Sequence, residues 1–428
     1  MTAGHRQRVP SQAIDTQASD LASATEAKTT IRKWLAVATV GVAVFAVTTT
    51  EMMPMGLLPS IARDLHVSEG QAGLSVTLYG ILAGLLAPAT TVLAGRIDRR
   101  TLLLTILAVF TVGNALSAAS LNHALFMVSR FTCGVIHGLM WAIVASVAIR
   151  LVADRDAVRA TAAVFSGISL ALVLGVPCGA FLGSILGWRW AFALLSALCG
   201  LTCVLIRLLL PSLPSRRSFA FSDLAPLLKS KPVRRVLIVT AGIVIGNYSA
   251  YTYIAPFLGE ARGINAGLIG VFLLCYGIAG VAGNFASAAL LNRFRTVRPV
   301  LAGLTVVMTA GVLLMMIPTY SLLLVALWMV IWGASYSALP VALQTFVLRV
   351  SDRQSGEATT SLYVLVFNCA IAGGALFGGV VIDSGGPNAP MLTGAIFCAT
   401  TLAAICAIRE PSKSIQPQTL NQEPGLAV

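Results

Sequence analysis

The sequence predicts an all-α integral membrane protein, with twelve transmembrane helices in two pseudo-symmetric six-helix bundles. Three observations carry this expectation. Of the 428 residues, 57% are hydrophobic and only 11% charged, with a mean hydropathy of +0.87, whereas a soluble domain carries about 25% charged residues. The apolar residues come in long blocks rather than amphipathic stripes, so the solvent they match is hydrocarbon. Two stretches also recur at an offset near 200: Gly95-Arg96-Ile97-Asp98-Arg99-Arg100 is answered by Asn292-Arg293-Phe294-Arg295-Thr296-Val297-Arg298, and Met53-Pro54-Met55 by Ala255-Pro256-Phe257. Parallel six-helix repeats around a midplane site are a plan used by transporters.

Residues 1–30 are polar and rich in Ser, Thr, Ala and Gln. They read as a disordered cytoplasmic tail without the apolar core or cleavage site of a signal peptide, so the first span acts as its own signal. The N-terminal bundle, 31–210, holds spans at 34–58, 71–93, 101–119, 124–149, 160–186 and 190–210. Residues 211–235 are proline-containing and basic, and read as a cytoplasmic linker. The C-terminal bundle, 236–410, holds spans at 236–258, 267–291, 299–317, 321–348, 358–382 and 389–408, followed by a cytoplasmic tail at 411–428. Each span is near the ~20 residues needed to cross a bilayer. The connections are mostly short, which favours antiparallel neighbours.

An even number of spans puts both termini on one side. With the termini in the cytoplasm, 25 of the 29 Lys and Arg residues fall on that side. Only Arg63, Arg189 and Arg262 fall outside, and Arg130 is intramembrane. The asymmetry follows the positive-inside rule and accounts for the net charge of +13 without a polyanionic ligand, so no nucleic-acid partner is expected. All eight cysteines sit in apolar blocks. Cys199 and Cys203 are one helical turn apart but lack the His or second Cys pair of a metal site, so all eight read as small packing residues and no metal is expected.

The chain's chemistry gathers around Thr50-Glu51-Met52-Met53-Pro54-Met55-Gly56-Leu57-Leu58-Pro59. Glu51 lies about 17 residues into the first apolar run, hence about 25 Å along a helix. A carboxylate at that depth costs roughly 2.5–3.5 kcal/mol on insertion scales, and an intramembrane ionisable group is by default a functional hypothesis. Arg130 stands at a similar depth, about 9 Å in from the outer face. A Glu51–Arg130 pair would lower the cost of both groups, either as a proton-responsive lock or as a static tie. His137, seven residues further on, faces nearly the same way and reads as a proton relay or a packing histidine. Trp141 is too deep for an interface anchor and suits stacking on a ligand ring.

Gly167, Gly175, Gly179 and Gly183 give the fifth span one smooth face, and Pro177 allows a bend. The seventh span offers Asn247, Tyr248, Tyr251 and Tyr253. The tenth offers Trp328, Trp332 and Tyr336 at i, i+4, i+8, then Gln344. An aromatic stripe with scattered amides suits a neutral ligand bearing hydroxyls or a planar ring. Asn284 and Asn368 read as helix–helix hydrogen-bonding groups. There is no phosphate-binding Gly-rich loop with Lys-Ser/Thr and no hydrolytic constellation. The protein is therefore not expected to be an enzyme or to need a cofactor, and an ion gradient or the substrate's own gradient must drive it.

Five motifs together resemble the bacterial major facilitator superfamily, in its drug:proton antiporter-1 branch of sugar, arabinose and purine-ribonucleoside efflux proteins and chloramphenicol exporters. They are Thr50-Glu51…Pro54…Gly56-Leu57-Leu58-Pro59; Leu93-Ala94-Gly95-Arg96-Ile97-Asp98-Arg99-Arg100; Arg130…Gly134…His137-Gly138…Trp141; Gly175-Val176-Pro177…Gly179; and Gly187-Trp188-Arg189-Trp190-Ala191-Phe192. The resemblance covers about 32–410 and implies proton-coupled export by alternating access across a bacterial inner membrane; the sequence carries no sign of oligomeric state, and a monomer is the default. The resemblance implies proton coupling at Glu51, Arg130 and His137, and a cytoplasmic gating loop at Gly95, Arg96, Asp98, Arg99 and Arg100. An antiporter-like motif at Gly175, Pro177 and Gly179 favours export. In the superfamily an Asp usually precedes the arginine matching Arg96, whereas Gly95 stands there, and Asp98 stands where glycine is usual. The proposed cavity residues are Trp141, Asn247, Tyr251, Trp332, Tyr336 and Gln344, with His137 beside them. A proton-independent uniporter or an importer of a metabolite stays open as the alternative.

Overall fold

The structure, a computed structural model, describes residues 30–93, 97–214, 227, 229–294, 296–351 and 356–407. Among these residues there is no strand, and twelve helices are long and apolar enough to cross a membrane. In the first half they are α1 (Ile31–Asp64), α2 (Glu69–Leu93), α3 (Arg99–Ala118), α4 (His123–Arg150), α5 and α6 (Trp188–Leu209). In the second half they are α7 (Lys231–Tyr251), α8 (Ala266–Arg293), α9 (Arg298–Met315), α10 (Leu322–Val350), α11 (Gly356–Gly385) and α12 (Ala389–Ala407). Short polar side chains start several of them by accepting backbone N–H bonds: Asp98 for α3, Asn122 for α4, Asn265 for α8 and Ser321 for α10. The face holding the start of α1 and the end of α12 is the tail face, and the opposite one the distal face.

Three elements depart from the expected spans. α1 runs past residue 58 to Asp64 with Pro54 and Pro59 inside it. Its extra turn is held at the distal face, where Trp188 Nε1 donates to Asp64 Oδ2 at 3.0 Å and Arg189 pairs with the same carboxylate. The Gly187-Trp188-Arg189 motif is thus a fastener between α1 and α6, and glycine is required because residue 187 has φ +90°. α5 is built in three pieces, an α-helix at Ala157–Leu170, a π-helical turn at Ala171–Gly175 and an α-helix at Val176–Leu186. The wide turn lies just ahead of Pro177, which has no N–H for the helical ladder. The seventh span is interrupted: α7 stops at Tyr251, and Ile254–Pro256 and a π turn at Phe257–Ala261 follow. Pro256 supplies no N–H to the carbonyl of Thr252, and its ring crowds that carbonyl, so the helix breaks there.

The core divides into two apolar clusters, one built mostly from residues 36–213 and the other mostly from 227–405. Met52, Met55, Val76, Val176 and Ala180 join the second cluster, while Tyr253 and Ile382 join the first. These trespassers mark where the halves meet. α2 lies against α11, with Gly80 facing Ala372 and Asn368 and Gly84 facing Cys369 and Leu365. α5 lies against α8, with Gly277 on the backbone of Leu172 and Val173 in the π turn. Within the first half, Gly167, Gly175, Gly179 and Gly183 rest in turn on Gly41–Phe45, Thr49, Met53 and Leu57 of α1. A side chain on that seam would push α1, and Glu51 with it, away from α5.

On the distal face Asp383 ties the halves together. Asp383, near the end of α11, accepts from Ser68 Oγ at 2.6 Å and from the Gly70 N–H at 2.9 Å, bridging to the start of α2. Two readings of single residues change. Cys178 and Cys406, expected to pack inside, are exposed on the helix surface. Asn368 donates to Val364 of its own helix at 2.9 Å rather than to a neighbouring one.

Candidate functional site

The charged residues of the first half converge. Glu51 is 5% exposed, Arg130 fully buried and His137 1% exposed. Glu51 Oε2 lies 3.5 Å from His137 Nε2. The imidazole is held on both sides, with Trp141 Nε1 at 2.8 Å from Nε2 and the Tyr79 hydroxyl at 2.7 Å from Nδ1. Indole N–H only donates, so Nε2 accepts, and the hydrogen-bond network assigns the proton of a neutral ring to Nδ1.

Matched depth suggested a direct Glu51–Arg130 pair, and no such contact forms. Arg130 lies 4.5 Å from the Tyr79 ring centroid, in cation–π geometry, and none of its guanidinium nitrogens has a hydrogen-bond partner. Arg130 and His137 share a face of α4 but lie seven residues, about 10 Å, apart along it, and the Glu51 carboxylate meets the imidazole. One level down, Asn114 Nδ2 donates to Thr50 Oγ1 at 3.0 Å and anchors α3 beside Glu51.

The second half presents an aromatic box. Tyr251 and Tyr276 stack with centroids 4.6 Å apart, and Trp332 stands edge-on to both. Trp332 Nε1 donates to Asn247 Oδ1 at 2.9 Å. Tyr336 meets Tyr248 edge-on at 6.0 Å, and the Tyr248 hydroxyl reaches Met52 Sδ, next to Glu51, at 3.7 Å. The box therefore faces the ionisable cluster across the junction of the halves. Gln344 is exposed two turns further along α10 and lies apart from these contacts. Gly175, Pro177 and Gly179 are buried behind α1.

Tyr79 and Tyr276 were not singled out in the sequence. They stand 197 residues apart, as do Arg96 and Arg293, so the repeat offset was the signal that could have found them.

The loop after α2 is only partly described. Gly95 and Arg96 lie outside the described residues. Asp98 accepts from the N–H groups of Arg100 and Thr101 at 3.0 and 3.2 Å, from Ser212 Oγ at 2.7 Å and from the Leu213 N–H at 2.6 Å. The contacts of Asp98 thus staple the loop to the end of its own half. Arg99 bonds Leu213 through its backbone N–H, and Arg100 bonds the Arg207 carbonyl. Burial raises the Asp98 carboxyl, but the hydrogen bonds from Ser212, Thr101, Leu213 and Arg100 outweigh it and hold the group below the usual carboxylate range.

A cavity of about 280 Å³ opens at the distal end of α1, between Pro59, Arg63, Ser184, Gly259 and Glu260, and stops short of Glu51. Among the described residues no group of His, Cys, Asp and Glu is placed to hold a metal ion.

A family model described as Major Facilitator Superfamily matches residues 40–360 and 237–426. Among solved structures, the fold is similar to a nucleoside transporter, NupG, with TM-score 0.74 at 11% identity over 87% of this chain and 98% of that one. It is similar to a bacterial homologue of the human lysosomal transporter Spinster in an inward-facing, occupied conformation, with TM-score 0.69 at 15% identity over 88% and 96%. It is also similar to the human organic anion transporter MFSD10, with TM-score 0.61 at 17% identity over 87% and 99%.

Proposed function

The chain belongs to the major facilitator superfamily of membrane transporters, and from that premise we propose that it exports a small, uncharged, ring-bearing molecule in exchange for a proton. The observation that carries the proposal is the Glu51–His137 contact, buried where the two halves meet and facing the aromatic box. Trp141 occupies the Nε2 lone pair of His137, so that nitrogen holds no proton to offer Glu51. The arrangement suits a Glu51 that itself carries the transported proton. A substrate ring that draws the Trp141 indole toward it frees Nε2 to take the proton and pass it on to water, and Arg130, with no hydrogen-bond partner, is free to pair with the carboxylate left behind. Substrate and proton thereby compete for one set of contacts, which is the requirement for antiport.

The box of Tyr251, Tyr276, Trp332 and Tyr336, with Asn247 beside it, offers ring faces and an amide but no charge. This supports a sugar, a nucleoside or a neutral drug as cargo. In this reading the transporter is a monomer in a bacterial inner membrane with the tail face in the cytoplasm, and the proton gradient drives it without a cofactor. The test is a reconstituted protein with a trapped pH dye, challenged in turn with sugars, nucleosides and phenicol-type drugs. One class should move protons and the others should not. Binding of one class without any proton movement would overturn antiport in favour of uniport.

A further inference from the structure

A groove of about 500 Å³ runs down the outer surface between α3 and α6, starting at the tail face. Its walls are Leu104, Thr105 and Ala108 of α3 and Cys203, Val204 and Leu208 of α6. Val204 and Leu208 are 55% and 62% exposed, so the trough opens sideways toward the membrane interior. Ala108 is eight residues beyond Arg100, so the groove extends about 12 Å below the tail-face surface.

Three arginines from three helices meet at its head. Arg32 of α1 donates through Nη2 to the Leu208 carbonyl at 3.2 Å, Arg100 of α3 donates to the Arg207 carbonyl, and Arg207 itself lines the groove. The two carbonyl bonds place positive charge at the C-terminal end of α6, where the helix dipole favours it. They use one guanidinium nitrogen each, however, and Arg100 Nε is buried without a partner. Among the described residues none of the three arginines makes an ion pair. Asp98 is the acidic residue beside them in sequence, and its oxygens are taken by Ser212, Leu213, Arg100 and Thr101.

We propose that this groove is a binding site for one anionic diacyl phospholipid, with its phosphate on Arg32, Arg100 and Arg207 and an acyl chain in the trough. An apolar trough open to hydrocarbon beneath unneutralised guanidinium groups matches both parts of such a lipid, whereas a zwitterionic headgroup brings its own cation to the same spot. The site fixes α1, α3 and α6 together at their tail-face ends, away from Glu51 and the aromatic box.

The test is native mass spectrometry of the full chain in detergent, titrated with phosphatidylglycerol and with phosphatidylcholine of the same chains. Wild type should bind one phosphatidylglycerol in preference. Each of Arg32→Gln, Arg100→Gln and Arg207→Gln should lower that preference about fivefold. Arg298→Gln, which removes the corresponding carbonyl bond from α9 to Cys406 of α12, should leave it unchanged. Val204→Trp, a surface change that fills the trough and spares the arginines, should abolish phosphatidylglycerol binding itself. Equal binding of the two lipids, equal loss in Arg298→Gln, or undiminished binding in Val204→Trp would overturn the assignment. Competition by millimolar glycerol phosphate would overturn it in favour of a free phosphate site.

Discussion

Asp383→Ala should loosen the distal closure without touching the central site. The carboxylate of Asp383 accepts two hydrogen bonds from the other half, at 2.6 Å from Ser68 Oγ and 2.9 Å from the Gly70 N–H. Hydrogen bonds to a charged group contribute ~1.5–3 kcal/mol each when dry. Asp383 is exposed, so water takes up much of that, and about 1 kcal/mol per bond is the appropriate scale. Losing both shifts the closed-to-open ratio by about 2 kcal/mol, roughly 30-fold. Spin labels at Leu121→Cys and Tyr320→Cys, exposed positions on the distal loops of opposite halves, report this as a distance distribution. Asp383→Ala should add a longer-distance population, and Asp383→Asn, which keeps one acceptor oxygen, should fall between it and the parent. A distribution identical to the parent in monodisperse Asp383→Ala protein would refute the latch.

Other expectations follow from the packing and the network. Gly175→Ala would drive a methyl group into the Thr49 hydroxyl and should lower stability by about 1–3 kcal/mol in thermal unfolding, whereas Gly303→Ala, with nothing within 4 Å of the new carbon, should be neutral or stabilising. The folded-state pKa of Asp98 is depressed, so its contribution is present above the unfolded value near ~3.9 and is lost as pH falls through the folded value. The wild type should therefore lose thermal stability below about pH 4 more steeply than Asp98→Asn, and parallel pH profiles would remove the staple. Trp141→Phe keeps the ring but not the N–H that holds His137 Nε2. It should bind substrate while moving fewer protons per substrate, a ratio measured from dye and tracer fluxes together.

Hydropathy made the twelve spans readable because each must fill a bilayer, and that requirement leaves a signal in every window. It could not place the ends. α1 reaches Asp64 because Trp188 and Arg189 meet that carboxylate from 124 and 125 residues away in sequence, and no local pattern records such a contact. The break after Tyr251 was written in Pro256, whose echo of Pro54 was seen; yet Pro54 leaves α1 continuous while Pro256 ends α7. At the site, the burial of Glu51, Arg130 and His137 among apolar helices was legible and their pairing was not. Arg130 and His137 share a face of α4 about 10 Å apart along it, and Glu51 meets the second of them. Tyr79 and Tyr276 hid among apolar neighbours because a single aromatic in a membrane helix carries no local mark of its role.

The measurement that bears most directly on the proposal is the proton movement driven by the transported substrate in Glu51→Gln protein, alongside wild type, in the same vesicles and with substrate binding measured separately. The exchange keeps the shape and removes the ionisable proton from the buried pair with His137. The proton-carrier role of Glu51 requires binding to persist while the substrate-driven pH change disappears. Undiminished proton movement in a folded, substrate-binding Glu51→Gln protein would contradict it and leave Glu51 as a structural partner of His137.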